Sequence, residues 1–174
     1  MKSNTELPSE NTPTSIGLNS CDSLLHWTSI SAILGLIAYF IYGITYFPET
    51  IPVHFDATGH ADRMGGKSTL WLLLAIPSVL WFVLNYVQRN PERLNYAVTI
   101  HEKNRQRQYR LAHRLLASYK LFIPCLSLVI LWNVHGTTMN IPHLSEGWFA
   151  LLMLTMVILP LPIYLLLSFR EPKN

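Results

Sequence analysis

The chain has 174 residues, half of them hydrophobic and only 13% charged. Soluble domains carry about 25% charge, so this one would struggle to cover a soluble surface, and a disordered chain wants fewer apolar residues and more charge. What remains is a membrane protein of single-domain length, and the mean hydropathy of +0.25 agrees.

Residues 1–22 are polar, contain Pro8 and Pro13, and read as a disordered cytoplasmic tail. They lack the apolar run of a cleavable signal peptide. Residues 23–170 read as a single membrane domain. No charge lies between Asp22 and Glu49, Lys67 and Arg89, Lys120 and Glu146, or Glu146 and Arg170. A helix needs about 20 residues to cross a bilayer. The gaps predict spans over 24–47, 69–88, 115–134 and 148–169. The third reaches that length only if it starts near Leu115 and Lys120 snorkels to the interface. Three spans with a short buried helix is the alternative. Trp27, Tyr46, Trp71, Tyr86, Tyr119, Trp132 and Trp148 fall near span ends, where interfacial belts place them. Pro160 and Pro162 predict a kink in the fourth helix. Cys21 and Cys125 should lie at different depths, so no disulfide is expected.

Orientation follows from the bases. Segment 89–114 carries Arg89, Arg93, Lys103, Arg105, Arg107, Arg110 and Arg114, whereas segment 48–68 carries only Arg63 and Lys67. Arg170 and Lys173 follow the fourth span. The positive-inside rule puts 89–114 and both termini in the cytoplasm. The expected fold is therefore an all-α membrane protein with four transmembrane helices, N-in and C-in, and an ordered extracytoplasmic loop between helices 1 and 2. The net charge of +3 reads as an orientation marker, and no nucleic-acid partner is expected.

Segment 48–68 is the most informative stretch. Pro48 and Pro52 remove backbone donors and stop the first helix. Ile51 to Phe55 favours an extended strand. Asp56-Ala57-Thr58-Gly59 is a turn signature, with Gly59 free to take positive φ. Gly65-Gly66 ends the loop before Ser68 or Thr69 caps the second helix. In the basic loop, Asn90-Pro91 breaks the second helix. Thr99-x-x-Glu102 reads as a capping box that starts one long helix near Ile100 and feeds the third span. Arg105, Arg107, Arg110 and Arg114 on it suit anionic headgroups.

Ile51-Pro52-x-His54-Phe55-Asp56-x-x-Gly59-x-x-Asp62, followed by Lys67, resembles the signature I-P-x-H-[FW]-[ND]-x-x-G-x-x-D of a bacterial membrane family, domain of unknown function 1648. Asp56 stands where that family more often has Asn. Asn95, Tyr96, Thr99, Glu102, Asn104, Gln108 and Tyr109 resemble the cytoplasmic segment of many members. The family includes immunity proteins that protect sporulating bacilli from a secreted killing peptide. The resemblance implies a bacterial inner-membrane protein, with toxin immunity or envelope sensing as its role. Its partners besides the lipid bilayer would be an extracytoplasmic peptide or a cytoplasmic regulator.

Three readings of the motif compete. In the first, His54 packs within the loop while Asp56 and Asp62 cap backbone donors, Asp62 also pairing Arg63 or Lys67. In the second, Ile51, Pro52, His54, Phe55, Asp56, Gly59, Asp62 and Lys67 form a recognition surface. In the third, His54, Asp56, His60 and Asp62 hold a metal ion with His143, and the third loop also offers His135 and Glu146 on the same side. The third would make a metal-dependent membrane hydrolase. No H-E-x-x-H or G-x-S-x-G motif is present, so the leading expectation is a non-enzymatic protein without a cofactor. The cores of spans one, two and four contain no Asp, Glu, Lys or Arg, which disfavours transport of charged solutes.

Overall fold

The computed structural model describes residues 19–56, 58–142, 144 and 146–170. His143, named as a metal candidate, lies outside the described residues, as does most of the expected N-terminal tail. Among the described residues, four helices are long and apolar enough to cross a membrane: Ser20–Tyr46, Lys67–Gln88, Glu102–Met139 and Gly147–Phe169. We label the elements α1 (Ser20–Tyr46), β1 (Thr50–Phe55), β2 (Ala61–Gly66), α2 (Leu70–Gln88), α3 (Glu102–Met139), α4 (Glu146–Ile158) and α5 (Pro160–Phe169). The chain is thus mostly helical rather than all-α, because β1 and β2 pair as an antiparallel hairpin.

Local chemistry sets the boundaries. Asn19 caps α1: its side chain accepts from the Asp22 N–H, and the Asp22 carboxylate accepts from the Asn19 N–H. The helix therefore starts at Ser20, inside the stretch expected as tail. Gly66 is followed by a single 3₁₀ turn, Lys67–Thr69, that leads into α2. Neither Ser68 nor Thr69 caps α2; the Thr69 hydroxyl instead donates to the Gly66 carbonyl. The start of α3 differs as well. Glu102 is the first helical residue, and Asn104 rather than Glu102 reaches back to accept from the His101 N–H. Asn104 also donates to the Thr99 carbonyl. At its far end α3 stops at Asn140, which takes the left-handed conformation, φ 51°. Asn tolerates that conformation better than most residues and commonly ends helices in it. The last span divides at Leu159 into α4 and α5, where Pro160 supplies no N–H to continue the ladder.

At ~1.5 Å per residue, the 38 residues of α3 extend about 57 Å, well beyond the ~30 Å of a hydrocarbon core. It packs against α1, α2, α4 and α5. The main core lies at the hairpin end, where Leu36 and Phe40 of α1 meet Ile51, Leu70, Leu131 and Val134. Outward faces of the spans stay apolar and uncovered, for example Leu72, Ile76, Val79 and Phe82 on α2. Acyl chains solvate such belts.

Candidate functional site

The hairpin divides the motif by chemistry. Ile51 and Pro52 are buried, and Ile51 belongs to the main core. Phe55 packs its ring 5.4 Å from that of Phe149 in α4. Gly65 passes so close to β1 that an added Cβ would meet Val53 Cγ1 at 2.9 Å. These members clamp the hairpin to the ends of the helices. The polar members point away from the core.

The strand register shifts on either side of His54, which pairs with Arg63 in the ladder. Such irregularities re-aim side chains, and here His54 Nδ1 lies 2.6 Å from Asp62 Oδ1. A carboxylate only accepts, so Nδ1 carries the proton. Both side chains are about half exposed, at 52% and 44%. Asp62 therefore pairs with His54 rather than with Arg63 or Lys67. Lys67 pairs with Glu49 at 2.8 Å and reaches the Phe47 carbonyl.

The turn is a separate unit. Asp56 Oδ1 accepts from the Thr58 hydroxyl at 2.6 Å, the Thr58 N–H at 2.8 Å and the His60 N–H at 3.0 Å. Asp56 thus caps backbone donors. The Thr58 hydroxyl, with these backbone donors, holds its carboxyl below the usual range. Thr58 Oγ1 also lies 3.1 Å from His60 Nδ1. Gly59 closes the turn at φ 94°, the positive value its position in the motif suggests. Of the four metal candidates described, His54 with Asp62 and Asp56 with His60 form two separate groups. Among the described residues no three His, Cys, Asp or Glu side chains converge as an ion would require.

His135 is not in a loop. It lies within α3, its Nδ1 shares a 2.8 Å hydrogen bond with the Tyr39 hydroxyl, and its ring packs against Tyr42 and Phe47. It ties α3 to α1 just beneath the hairpin.

The second set of motif residues fastens the opposite end. Gln108 is buried and donates to the Ser168 carbonyl at 3.1 Å, while Arg107 donates to the Leu167 carbonyl. Helix ends leave such carbonyls without helical partners, so α3 caps α5. Tyr109 stacks on Tyr96 at 5.5 Å, and the Tyr96 hydroxyl donates to the Pro91 carbonyl. Burial pushes the Tyr96 phenol up. Asn95, Thr99 and Glu102 are exposed beside this clamp.

Lys120 is the largest departure from expectation. It does not snorkel: only 1% of it is exposed. Its ammonium donates to Gln88 Oε1 at 2.8 Å and Asn85 Oδ1 at 3.0 Å, and lies 5.2 Å from the centre of the Trp81 ring. Insertion scales charge roughly 3 kcal/mol for a lysine at a helix centre. Two amide acceptors and a π face offset part of that cost. Gln88 donates in turn to the His113 carbonyl, and Arg114 pairs with the buried Asp22 at 2.9 Å. Sequence reading missed this cluster. Its one local signal is the Asn85-x-x-Gln88 pair, polar at helical spacing in an apolar helix.

Four apolar helices of spanning length and an exposed apolar girdle define a multi-pass membrane protein. Residues 30–80, which hold most of α1, the hairpin and the first half of α2, match the family model described as Domain of unknown function (DUF1648). The stretch includes the whole Ile51–Asp62 motif, whereas the motif-like residues 95–109 lie beyond it. No curated protein and no solved structure matches the chain.

Proposed function

We propose that this is a non-enzymatic protein of the bacterial inner membrane, N-in and C-in, whose hairpin faces outward and recognises a peptide there. Its role is envelope sensing or toxin immunity, with the basic segment 89–114 passing the signal to a cytoplasmic regulator. One observation carries the reading: the His54–Asp62 pair is presented half exposed on a hairpin whose other side is clamped into the core by Ile51 and Pro52. A polar tip on a rigid base is preorganised for a partner, since little conformational freedom is lost on binding. The crowding of bases into 89–114 supports the orientation.

The test is protection. Cells sensitive to a secreted killing peptide are made to express the chain, and survival is scored for His54→Ala, Asp62→Ala and His60→Ala with membrane insertion verified. Loss of protection with the first two and retention with the third is expected. No protection by the unaltered chain, or equal survival of every variant, ends the immunity reading. Equal loss from all three, restored by zinc, would turn it towards a metal-dependent hydrolase.

A further inference from the structure

The polar cavity at the N-terminal end of α1 holds charges that its own walls do not balance. It measures about 330 Å³ and lies between the first turns of α1, the end of α2 and the middle of α3. That volume falls in the range of about 300–1,000 Å³ usual for small-molecule sites. Asp22 is the acid that lines it, and Arg114 already pairs with that carboxylate. Lys120 is held by the amide oxygens of Asn85 and Gln88, which carry no formal charge. Arg89, at the C-terminal cap of α2, lines the same space. Among the described residues neither Arg89 nor Lys120 forms an ion pair. His113 adds a buried Nδ1 that has no hydrogen-bond partner among them.

Two cations without counter-ions and an open imidazole nitrogen, set around one cavity, favour an anion. The position narrows its chemistry. Asp22 is in the first turn of α1 and Gln88 is the last residue of α2, so the cavity sits where a span meets the headgroup layer. Guanidinium and ammonium groups together suit phosphate oxygens, the first by its fork and the second as a point charge.

We propose that this cavity binds a phosphate-bearing anion, with Arg89, Lys120 and His113 Nδ1 as its donors. The phosphate belongs to an anionic lipid headgroup in the adjoining leaflet or to a soluble phosphate compound. The full chain, purified in a zwitterionic detergent without a phosphate group, is titrated with short-chain phosphatidylglycerol while its melting temperature is followed. A saturable rise is expected, with no comparable rise for short-chain phosphatidylcholine. Inorganic phosphate is the second arm: a matching rise assigns the soluble source, and its absence the lipid. Arg89→Gln alters an exposed residue past the end of α2, leaves the helix intact, and weakens the titration midpoint about tenfold, the equivalent of ~1.4 kcal/mol. Arg93→Gln, away from the cavity, leaves the midpoint unchanged. The proposal is overturned by no saturable rise with either phosphate probe, by an equal rise with phosphatidylcholine, or by equal weakening in the two arginine variants.

Discussion

His54 and Asp62 sit side by side at 2.6 Å on the exposed face of a hairpin whose neighbouring residues Ile51 and Pro52 are buried. Stability and presentation are thereby assigned to different residues of one short motif. An exposed pair of this kind contributes less than about 1 kcal/mol. His54→Ala and Asp62→Ala should each shift unfolding in mixed micelles by no more than that. Their double variant should cost less than the sum, since removing either partner already removes the bond.

Ile51→Ala should behave oppositely. Its side chain is 1% exposed and wedged among Leu36, Phe40, Leu70 and Val134. Truncating a core isoleucine costs about 2–5 kcal/mol. Unfolding in micelles should show a drop of that size, far larger than for His54→Ala. A drop equal to that of His54→Ala would mean that the hairpin is not anchored through Ile51.

The Asp56 turn should respond to acid. Its carboxyl is held below the usual range by the Thr58 hydroxyl and three backbone N–H groups, so the folded turn prefers the charged form. That preference is fully present above the unfolded value of about 3.9 and fades as pH falls through the lower folded value. Protection of the Thr58 and His60 amides, the observed exchange rate referred to the intrinsic rate at each pH, should fall on acidification through that window. Asp56→Ala should leave these two amides with little protection at every pH.

Lys120→Met removes a buried cation but leaves the amide oxygens of Asn85 and Gln88 without their partner. Stranded buried acceptors cost about 1–3 kcal/mol. The variant should be less stable by that order in thermal unfolding. Adding Asn85→Leu and Gln88→Met should recover part of the loss, because an apolar cluster needs no partners. A triple variant weaker than Lys120→Met alone would show that the amides hold α2 on α3 by other means.

A topology reporter at Gln106 should be found in the cytoplasm and one at Thr58 on the other side. The reverse result would invert the orientation drawn from the bases.

Much of this architecture was legible because its causes are local. The absence of charge over about 20 residues marks a span without reference to any neighbour. The break at Pro160 and the turn at Gly59 follow from one residue's own backbone chemistry. The end of α3 lies at Met139, beyond the expected limit near 134, so His135 is helical and not in a loop; Asn140 followed by Pro142 is the stop signal readable in the sequence. At the start of α3 the expected box of Thr99 and Glu102 gives way to His101 at the cap and Asn104 three residues on, because the helix begins at Glu102 rather than near Ile100.

The sequence by itself determined the membrane class, the four apolar spans, and the first strand and turn of the motif, since these depend on composition and on neighbours along the chain; the second strand, Ala61–Gly66, was not legible in it. Only the tertiary structure decided which polar groups meet. His54 finds Asp62 through a shift in strand register, and Lys120 finds Gln88 across 32 residues of chain. A lysine one turn inside an interface can reach out to water or inward to an amide. The packing of α2 on α3 settled that choice, because it put two amide oxygens and an indole face within reach of the ammonium.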